Sequence, residues 1–140
     1  MINIRHIGIV VKNLQESMAF YSLLGFHPYK FRSEFSSFIS LISDKLITKL
    51  TTVRLILPNK DMIELLDYGE DIYLKSNTLF DTGIAHFAMT VGNIDLLYCK
   101  LKEEGIEFLS APQNSPDGKA IVVFCVAPEG TFIELVEELK

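Results

Sequence analysis

The stretch RHIGIVVKNLQESMAFYSLLGF, residues 5–26, decides the fold because its pattern returns in AHFAMTVGNIDLLYCKLKEEGIEF, residues 85–108. A shift of 80 positions carries His6 to His86 and, with no gap, aligns the asparagine and the glycine that follow each histidine. Each copy therefore begins with a histidine in a strand-like segment and ends with a glycine after a helix-like segment.

A second repeat follows each of these stretches. VRLILPNKDMIELLDY, residues 53–68, matches VFCVAPEGTFIELVEE, residues 123–138, at a shift of 70 positions, which carries Glu64 to Glu134. Because both repeats occur in the same order, they indicate an internal duplication in which each copy carries one histidine and one glutamate. The two shifts differ by 10, so the first copy is 10 residues longer than the second.

Residue periodicity predicts the order β-α-β-β-β in each copy. Alternation over residues 2–11 places His6 on the strand face opposite the apolar residues that suit packing against a helix. Asn13 is a suitable N-cap for that helix, and Gly25 is a suitable residue to end it. The second copy repeats this pattern 80 positions later. The chain is therefore predicted to be α+β, with two tandem βαβββ modules.

The two glutamates and two histidines form a candidate metal site. Each glutamate shares its strand face with large apolar residues, where a carboxylate is costly unless a charge, a hydrogen bond or a metal satisfies it. Two halves packed about a pseudo-twofold axis would bring His6, Glu64, His86 and Glu134 together. Two imidazoles and two carboxylates suit a divalent first-row metal such as Ni²⁺, Co²⁺, Zn²⁺, Mn²⁺ or Fe²⁺.

Length and composition limit the classes of protein to which this chain can belong. The 140 residues predict one domain over residues 1–140, with internal modules at 1–78 and 79–140. No apolar run reaches the roughly 20 residues of a membrane span, and no signal peptide is recognisable, so we expect a cytoplasmic protein without a membrane partner. A net charge of -5 without clustered cations argues against nucleic-acid binding. The 49% hydrophobic content favours a homodimer.

The sequence also predicts the character of a linker, of the insertion, of the two cysteines and of His27. Residues 70–83 have polar breaks and no clear period, which predicts a linker. The insertion within residues 32–52 has an apolar helical face, and a lid, a dimer contact and a covering element all remain open for it. The residues of that face are Phe35, Phe38, Ile39, Ile42 and Leu46. Cys99 and Cys125 are expected to be small buried residues, and His27 is expected at the surface.

The motifs resemble the vicinal oxygen chelate superfamily, which contains glyoxalases, bleomycin-resistance proteins and dioxygenases, over essentially the whole chain. HIGIVVKNLQESMAFYSLLGF is similar to the opening motif of that family, and APEGTFIELVE is similar to its closing motif, commonly DPxGxxIEL. The resemblance implies paired modules whose curled mixed sheets enclose a metal ion. Bacterial-type glyoxalase I (lactoylglutathione lyase) has His, Glu, His and Glu at the positions matched by His6, Glu64, His86 and Glu134.

This ligand set implies a metal-dependent lyase or isomerase that acts on a small carbonyl or hemithioacetal substrate. A metal on a substrate oxygen stabilises the enediolate formed when a proton leaves the adjacent carbon. Glu134 is the expected base, and Glu64 is a ligand that assists from the other face. Methylmalonyl-CoA epimerases are an alternative, although they commonly have Gln where this chain has Glu64. Fosfomycin-resistance enzymes and extradiol dioxygenases use two histidines and one glutamate.

Substrate recognition is less well determined by the sequence. Arg32, Arg54 and Lys119 are the cations that could meet a substrate carboxylate or phosphate, and strand parity does not decide among them. A hypothesis of another class is a small-molecule-binding protein without catalysis, like the bleomycin-resistance proteins, which generally lack the metal set. The aromatic residues near the insertion that could stack on such a ligand are Phe31, Phe35 and Phe38.

Overall fold

The chain consists of two compact units, Met1–Leu74 and Lys75–Lys140. The computed structural model describes residues 1–34, 37–70, 72–74 and 78–140. The division between the units falls within residues 70–83, the predicted linker. The assignment of residues 1–140 to one domain with modules 1–78 and 79–140 stays a prediction.

The first unit contains a mixed four-stranded sheet and two helices. Its elements in chain order are β1 (Ile7–Val10), α1 (Leu14–Leu23), β2 (His27–Glu34), α2 (Ser37–Ser43), β3 (Leu50–Ile56) and β4 (Met62–Asp67). The strand order is β1-β4-β3-β2. Strand β1 runs parallel to β4, whereas the β4–β3 and β3–β2 pairs are antiparallel.

The second unit contains a mixed five-stranded sheet and one helix. Its elements are β5 (Phe87–Thr90), α3 (Ile94–Glu103), β6 (Glu107–Phe108), β7 (Gln113–Asn114), β8 (Ala120–Val126) and β9 (Phe132–Glu138). The order is β5-β9-β8-β6, with β7 also paired to β8, and β5 is parallel to β9. The predicted class, α+β with two βαβββ modules and mixed sheets, is therefore confirmed. The additions to the simple pattern are helix α2 and the short strand β7.

The predicted helix ends are confirmed. Oδ1 of Asn13 accepts a hydrogen bond from the backbone N–H of Glu16 at 3.1 Å, and Oδ1 of Asn93 accepts one from Leu96 at 2.9 Å. Such a cap contributes about 1 kcal/mol to stability. Gly25 follows α1 with a φ of 96°, a left-handed conformation that glycine adopts without the steric cost of a Cβ atom.

The core of the first unit lies between α1 and alternate residues of β3 and β4. The core of the second unit lies between α3 and alternate residues of β8 and β9. In β4, Ile63 and Leu65 are 2% and 0% exposed, and their counterparts in β9, Ile133 and Leu135, are both 0% exposed. Full burial of such a side chain contributes about 1.5–3 kcal/mol. The residues between them in sequence therefore lie on the face that points away from the helix.

The insertion forms a short helix with little burial. No residue of α2 is buried, and Phe38, Leu41 and Ile42 are exposed. Phe35, which we assigned to the same apolar face, lies outside the described residues, and Leu46 lies beyond the helix and is exposed. In the described part of the chain, no helix is long and apolar enough to cross a membrane.

The expectation for the cysteines is correct for one residue and wrong for the other. Cys125 is buried in β8, whereas Cys99 lies exposed on α3 because it falls on the outer side of that helix. His27 is exposed, as predicted.

These environments predict different reactivities of the two thiols. Burial raises the pKa of Cys125 to about 12, so its reactive thiolate form is scarce at pH 8. We expect iodoacetamide to alkylate Cys99 in the folded protein and to leave Cys125 unmodified, as measured by peptide mass spectrometry. Both residues should react in the unfolded chain. Modification of Cys125 at the same rate as Cys99 in the folded state would contradict the buried position.

Candidate metal centre

Each unit places one histidine and one glutamate on the sheet face that points away from its helix. In the first unit, Gly8 of β1 and Arg54 of β3 are the direct partners of Glu64 across the sheet. His6 lies two residues before Gly8 and therefore belongs to the same face. The sheet register, rather than the chain sequence, brings His6, Arg54 and Glu64 together.

The first pair includes an arginine. Nε2 of His6 is 3.8 Å from Oε1 of Glu64, and Nε of Arg54 donates a hydrogen bond of 2.8 Å to Oε2 of Glu64. The side chains of Arg54 and Glu64 are only 20% and 14% exposed. Each oxygen of the Glu64 carboxylate thus faces a different side chain, and the arginine provides a short, charge-assisted contact.

The second pair is closer and contains no arginine. Nε2 of His86 is 2.9 Å from Oε2 of Glu134, and their side chains are 34% and 25% exposed. Ala88 and Phe124 are the direct sheet partners of Glu134. The ring of Phe124 contacts His86 edge to face, with centroids 5.1 Å apart and an interplanar angle of 87°. Phe124 therefore packs against the imidazole at the position where the first unit has Arg54.

The ligand atoms fit a divalent metal better in the second pair than in the first. Two ligand atoms about 2.1 Å from one metal ion, with a right angle between the bonds, are about 3.0 Å apart. The 2.9 Å between His86 and Glu134 matches this spacing, whereas the 3.8 Å between His6 and Glu64 requires a wider angle. Imidazole and carboxylate groups suit Ni²⁺, Co²⁺, Zn²⁺, Mn²⁺ and Fe²⁺.

His6 has a further property that is consistent with metal binding. Its Nδ1 atom is buried and has no hydrogen-bond partner among the described residues. A buried polar atom without a partner costs about 1–3 kcal/mol. A metal bound at Nδ1 would remove that cost, whereas a metal bound at Nε2, the atom that faces Glu64, would not. Neither unit, within its described residues, holds by itself a group of three or more His, Cys, Asp or Glu side chains that could bind a metal ion. Each unit supplies a pair of potential ligands.

The other two cations that the sequence suggested are Lys119, just before β8, and Arg32 on β2. Lys119 is exposed next to the turn at Asp117, whose carboxylate accepts hydrogen bonds from Ser115 and from the backbone of Lys119. These hydrogen bonds lower the pKa of Asp117. Arg32 is exposed on β2 and is the sheet partner of Thr52. Among the three suggested cations, Arg54 contacts the candidate ligand Glu64.

The contact between Arg54 and Glu64 was not predicted because strand parity alone does not determine register. The loop between β3 and β4 is closed by the Leu57 N–H, which donates to the carbonyl of Asp61 at 2.9 Å. This closure pairs Ile56 with Met62, and counting two residues outward on each strand places Arg54 opposite Glu64. The length of this hairpin loop was the signal that could have located the ion pair.

Comparison with known proteins agrees with this architecture. The model of the Glyoxalase/Bleomycin resistance protein/Dioxygenase superfamily matches residues 3–135. No curated protein matches the chain.

Solved structures of similar fold include a glyoxalase family protein from Bacillus cereus, with a TM-score of 0.87 and 18% sequence identity over 100% of this chain and 96% of that one. A glyoxalase I mutant from Zea mays has a TM-score of 0.73 and 21% identity, over 98% of this chain and 48% of that one. The fosfomycin resistance protein FosX from Listeria monocytogenes, solved with Mn(II) and sulfate, has a TM-score of 0.67 and 14% identity, over 99% and 95% of the chains. At these identities the structural likeness establishes the fold alone.

The extent of the family match determines the classification. It covers nearly the whole chain and includes all four candidate ligands. The chain therefore belongs to the Glyoxalase/Bleomycin resistance protein/Dioxygenase superfamily.

Proposed function

We propose that this protein is a divalent-metal-dependent lyase or isomerase of the glyoxalase I type, which moves a proton within a small carbonyl or hemithioacetal substrate. The observation that carries the proposal is the pair of matched histidine–glutamate contacts, His6 with Glu64 and His86 with Glu134. Their residue types suit a divalent metal, and each module supplies one histidine and one glutamate. Membership in a superfamily that contains metalloenzymes supports the same activity.

A divalent metal, when bound, supplies Lewis acidity that polarises a substrate carbonyl and acidifies the neighbouring C–H bond. In this proposal, Glu134 takes the proton from that carbon. Return of the proton to the adjacent carbon gives isomerisation, and return to the opposite face of the same carbon gives epimerisation. The His86 imidazole at 2.9 Å orients the Glu134 carboxylate, and the Phe124 ring shields one side of the imidazole. Glu64 assists from the other module as a ligand.

The decisive experiment is a metal-reconstituted assay of hemithioacetal isomerisation. The purified protein is stripped with a chelator and reloaded separately with Ni²⁺, Co²⁺, Zn²⁺, Mn²⁺ or Fe²⁺. Methylglyoxal is then supplied together with each of several thiols, and product formation is followed. We expect turnover that depends on the metal and stops on its removal. Tight metal binding without turnover would favour an epimerase-like activity, and assays of 2-methyl-branched thioesters would follow.

The competing class is a small-molecule-binding protein without catalysis. The exposed side chains of Phe31 and Phe38, 60% and 63% exposed, favour it because they provide aromatic surface for a ligand. Metal content distinguishes the two classes. Protein that is purified without metal and has no affinity for any of the five ions would support the binding protein and exclude the proposed enzyme.

The proposal includes a cytoplasmic homodimer with a small-molecule substrate. Exposed apolar residues on α2 provide surface that an interface could cover. Size-exclusion chromatography with light scattering measures the mass in solution directly. A mass of two chains supports the dimer, and a mass of one chain would require both modules of a single chain to complete the site.

A further inference from the structure

The two modules differ in charge at one of the two positions beside their glutamates. Across the first sheet, one row of neighbouring residues runs Gly8, Glu64, Arg54 and Lys30. Across the second sheet, the corresponding row runs Ala88, Glu134 and Phe124. The shift of 70 positions that relates Glu64 to Glu134 also relates Arg54 to Phe124. The duplication thus preserves the carboxylate and changes its neighbour from a cation to an apolar ring.

This change gives Glu64 an internal counter-ion. Arg54 donates from Nε to Oε2 of Glu64 at 2.8 Å, and both side chains are mostly buried. The remaining guanidinium N–H groups are on the two Nη atoms, so the contact to Glu64 uses one donor of five. Oε1 is the oxygen that faces His6, at 3.8 Å. Among the described residues, the close polar partner of Glu134 is the imidazole of His86, and no arginine occupies the place that Arg54 has beside Glu64.

We propose that Arg54 competes with a metal ion for Glu64, which lowers the metal affinity of the protein and makes Glu64 a weaker carboxylate ligand than Glu134, its counterpart in the second unit. The inference rests on the proposed function, since it concerns the same site. Arg54 acts through Glu64 and is a positioning residue. Oε1 is the Glu64 oxygen more available to a metal, because Oε2 accepts the hydrogen bond from Arg54.

Two physical effects of opposite sign act on the metal affinity. A cation and a divalent metal ion bound to the two oxygens of one carboxylate are about 5 Å apart. Even in water, the repulsion between them lowers the metal-binding constant about tenfold. Loss of a hydrogen-bond partner that orients a ligand typically weakens metal binding about 10–100-fold. Repulsion should prevail here because Arg54 and Glu64 are shielded from water, which strengthens the interaction of charges. The backbone of Glu64 is also fixed by strand pairing with Gly8 and Arg54, and this pairing does not depend on the arginine side chain.

The test replaces Arg54 with the residue that the second module uses. Arg54→Phe and wild-type protein are stripped of metal, and the affinity of the full chain for Ni²⁺ is measured by competition with a chelating dye. We expect Arg54→Phe to bind Ni²⁺ at least about tenfold more tightly. The matched control is Lys30→Phe, which removes the same charge from the neighbouring position on the same face and should change the affinity by less than about threefold.

Two further variants separate charge from shape. Arg54→Lys retains the positive charge and should keep an affinity close to that of the wild type. Phe124→Arg places a guanidinium beside Glu134 and should weaken Ni²⁺ binding. Thermal unfolding with and without Ni²⁺ provides a second readout, since the metal-free Arg54→Phe protein leaves Glu64 unpaired. The increase in Tm caused by Ni²⁺ should therefore be larger in this variant than in the wild type.

The outcomes are distinct. Equal or weaker Ni²⁺ binding by folded Arg54→Phe would overturn the inference and assign Arg54 the role of an orienting partner. If wild-type protein binds no Ni²⁺ at all, the proposed function itself fails. If the wild type binds Ni²⁺ and loses it on substitution of His86, while Arg54→Phe leaves the affinity unchanged, only the inference about Arg54 fails.

Discussion

Replacing Glu134 with Gln is expected to reduce turnover by about 10²–10⁴-fold while part of the metal affinity is retained. Glutamine has nearly the same size as glutamate, and its amide oxygen can still approach the metal, but the neutral amide cannot accept the substrate proton. The proton-transfer step should therefore be lost, while the fold is preserved. The kcat of hemithioacetal isomerisation and the bound Ni²⁺ per chain are the two measurements.

A matched control is available on the same strand. Glu138 lies four residues from Glu134 on β9, so it belongs to the same face, and it is exposed. Glu138→Gln changes the same chemical group and should leave turnover unchanged. Full activity in Glu134→Gln would remove the proposed mechanism. A comparable loss in Glu64→Gln, with Glu134→Gln active, would instead exchange the roles of the two glutamates.

Replacing His86 with Gln is expected to weaken Ni²⁺ binding by more than about 100-fold, since loss of an outer-shell partner alone typically costs about 10–100-fold. An imidazole nitrogen is a strong ligand for first-row metals, and an amide is a poor one. The substitution also leaves the carboxylate of Glu134 without its neighbour at 2.9 Å. Chelator competition measures the affinity, and elemental analysis measures the metal that remains after dialysis.

The chain contains its own control for this experiment. His27 is exposed at the start of β2, and the proposed site does not include it. His27→Gln should bind Ni²⁺ like the wild type, whereas His6→Gln should show a loss similar to that of His86→Gln. Retention of full metal affinity in both His6→Gln and His86→Gln would exclude the proposed ligand set.

Much of the fold was predictable because its signals are local. A strand shows alternation over a few residues, and a helix shows a capping asparagine at one end and a glycine at the other, as at Asn13 and Gly25. Repetition of these signals at Asn93 and Gly105 made the βαβββ order secure. The same alternation assigned Glu64 and Glu134 to the faces opposite the core, where the structure places them.

The insertion and the exposed cysteine were harder to predict because burial depends on distant residues. The apolar pattern around Phe38 and Ile42 predicts an amphipathic helix, but no residue of α2 is buried by the described part of the chain, and both side chains are exposed. Cys99 was expected to be buried from its residue type alone. Its position on the outer side of α3 follows from which side of the helix meets the sheet, which only the packed unit determines.

The sequence by itself determined that this chain is duplicated and that each copy carries one histidine and one glutamate in separate strand-like segments. These properties depend on spacing along the chain, which is fully visible in the sequence. Only the tertiary structure decided that Glu64 is bound by Arg54, while Glu134 faces Phe124 and His86. The reason is that hydrogen bonds between strands fix the register, and register selects which side chains on one face become neighbours.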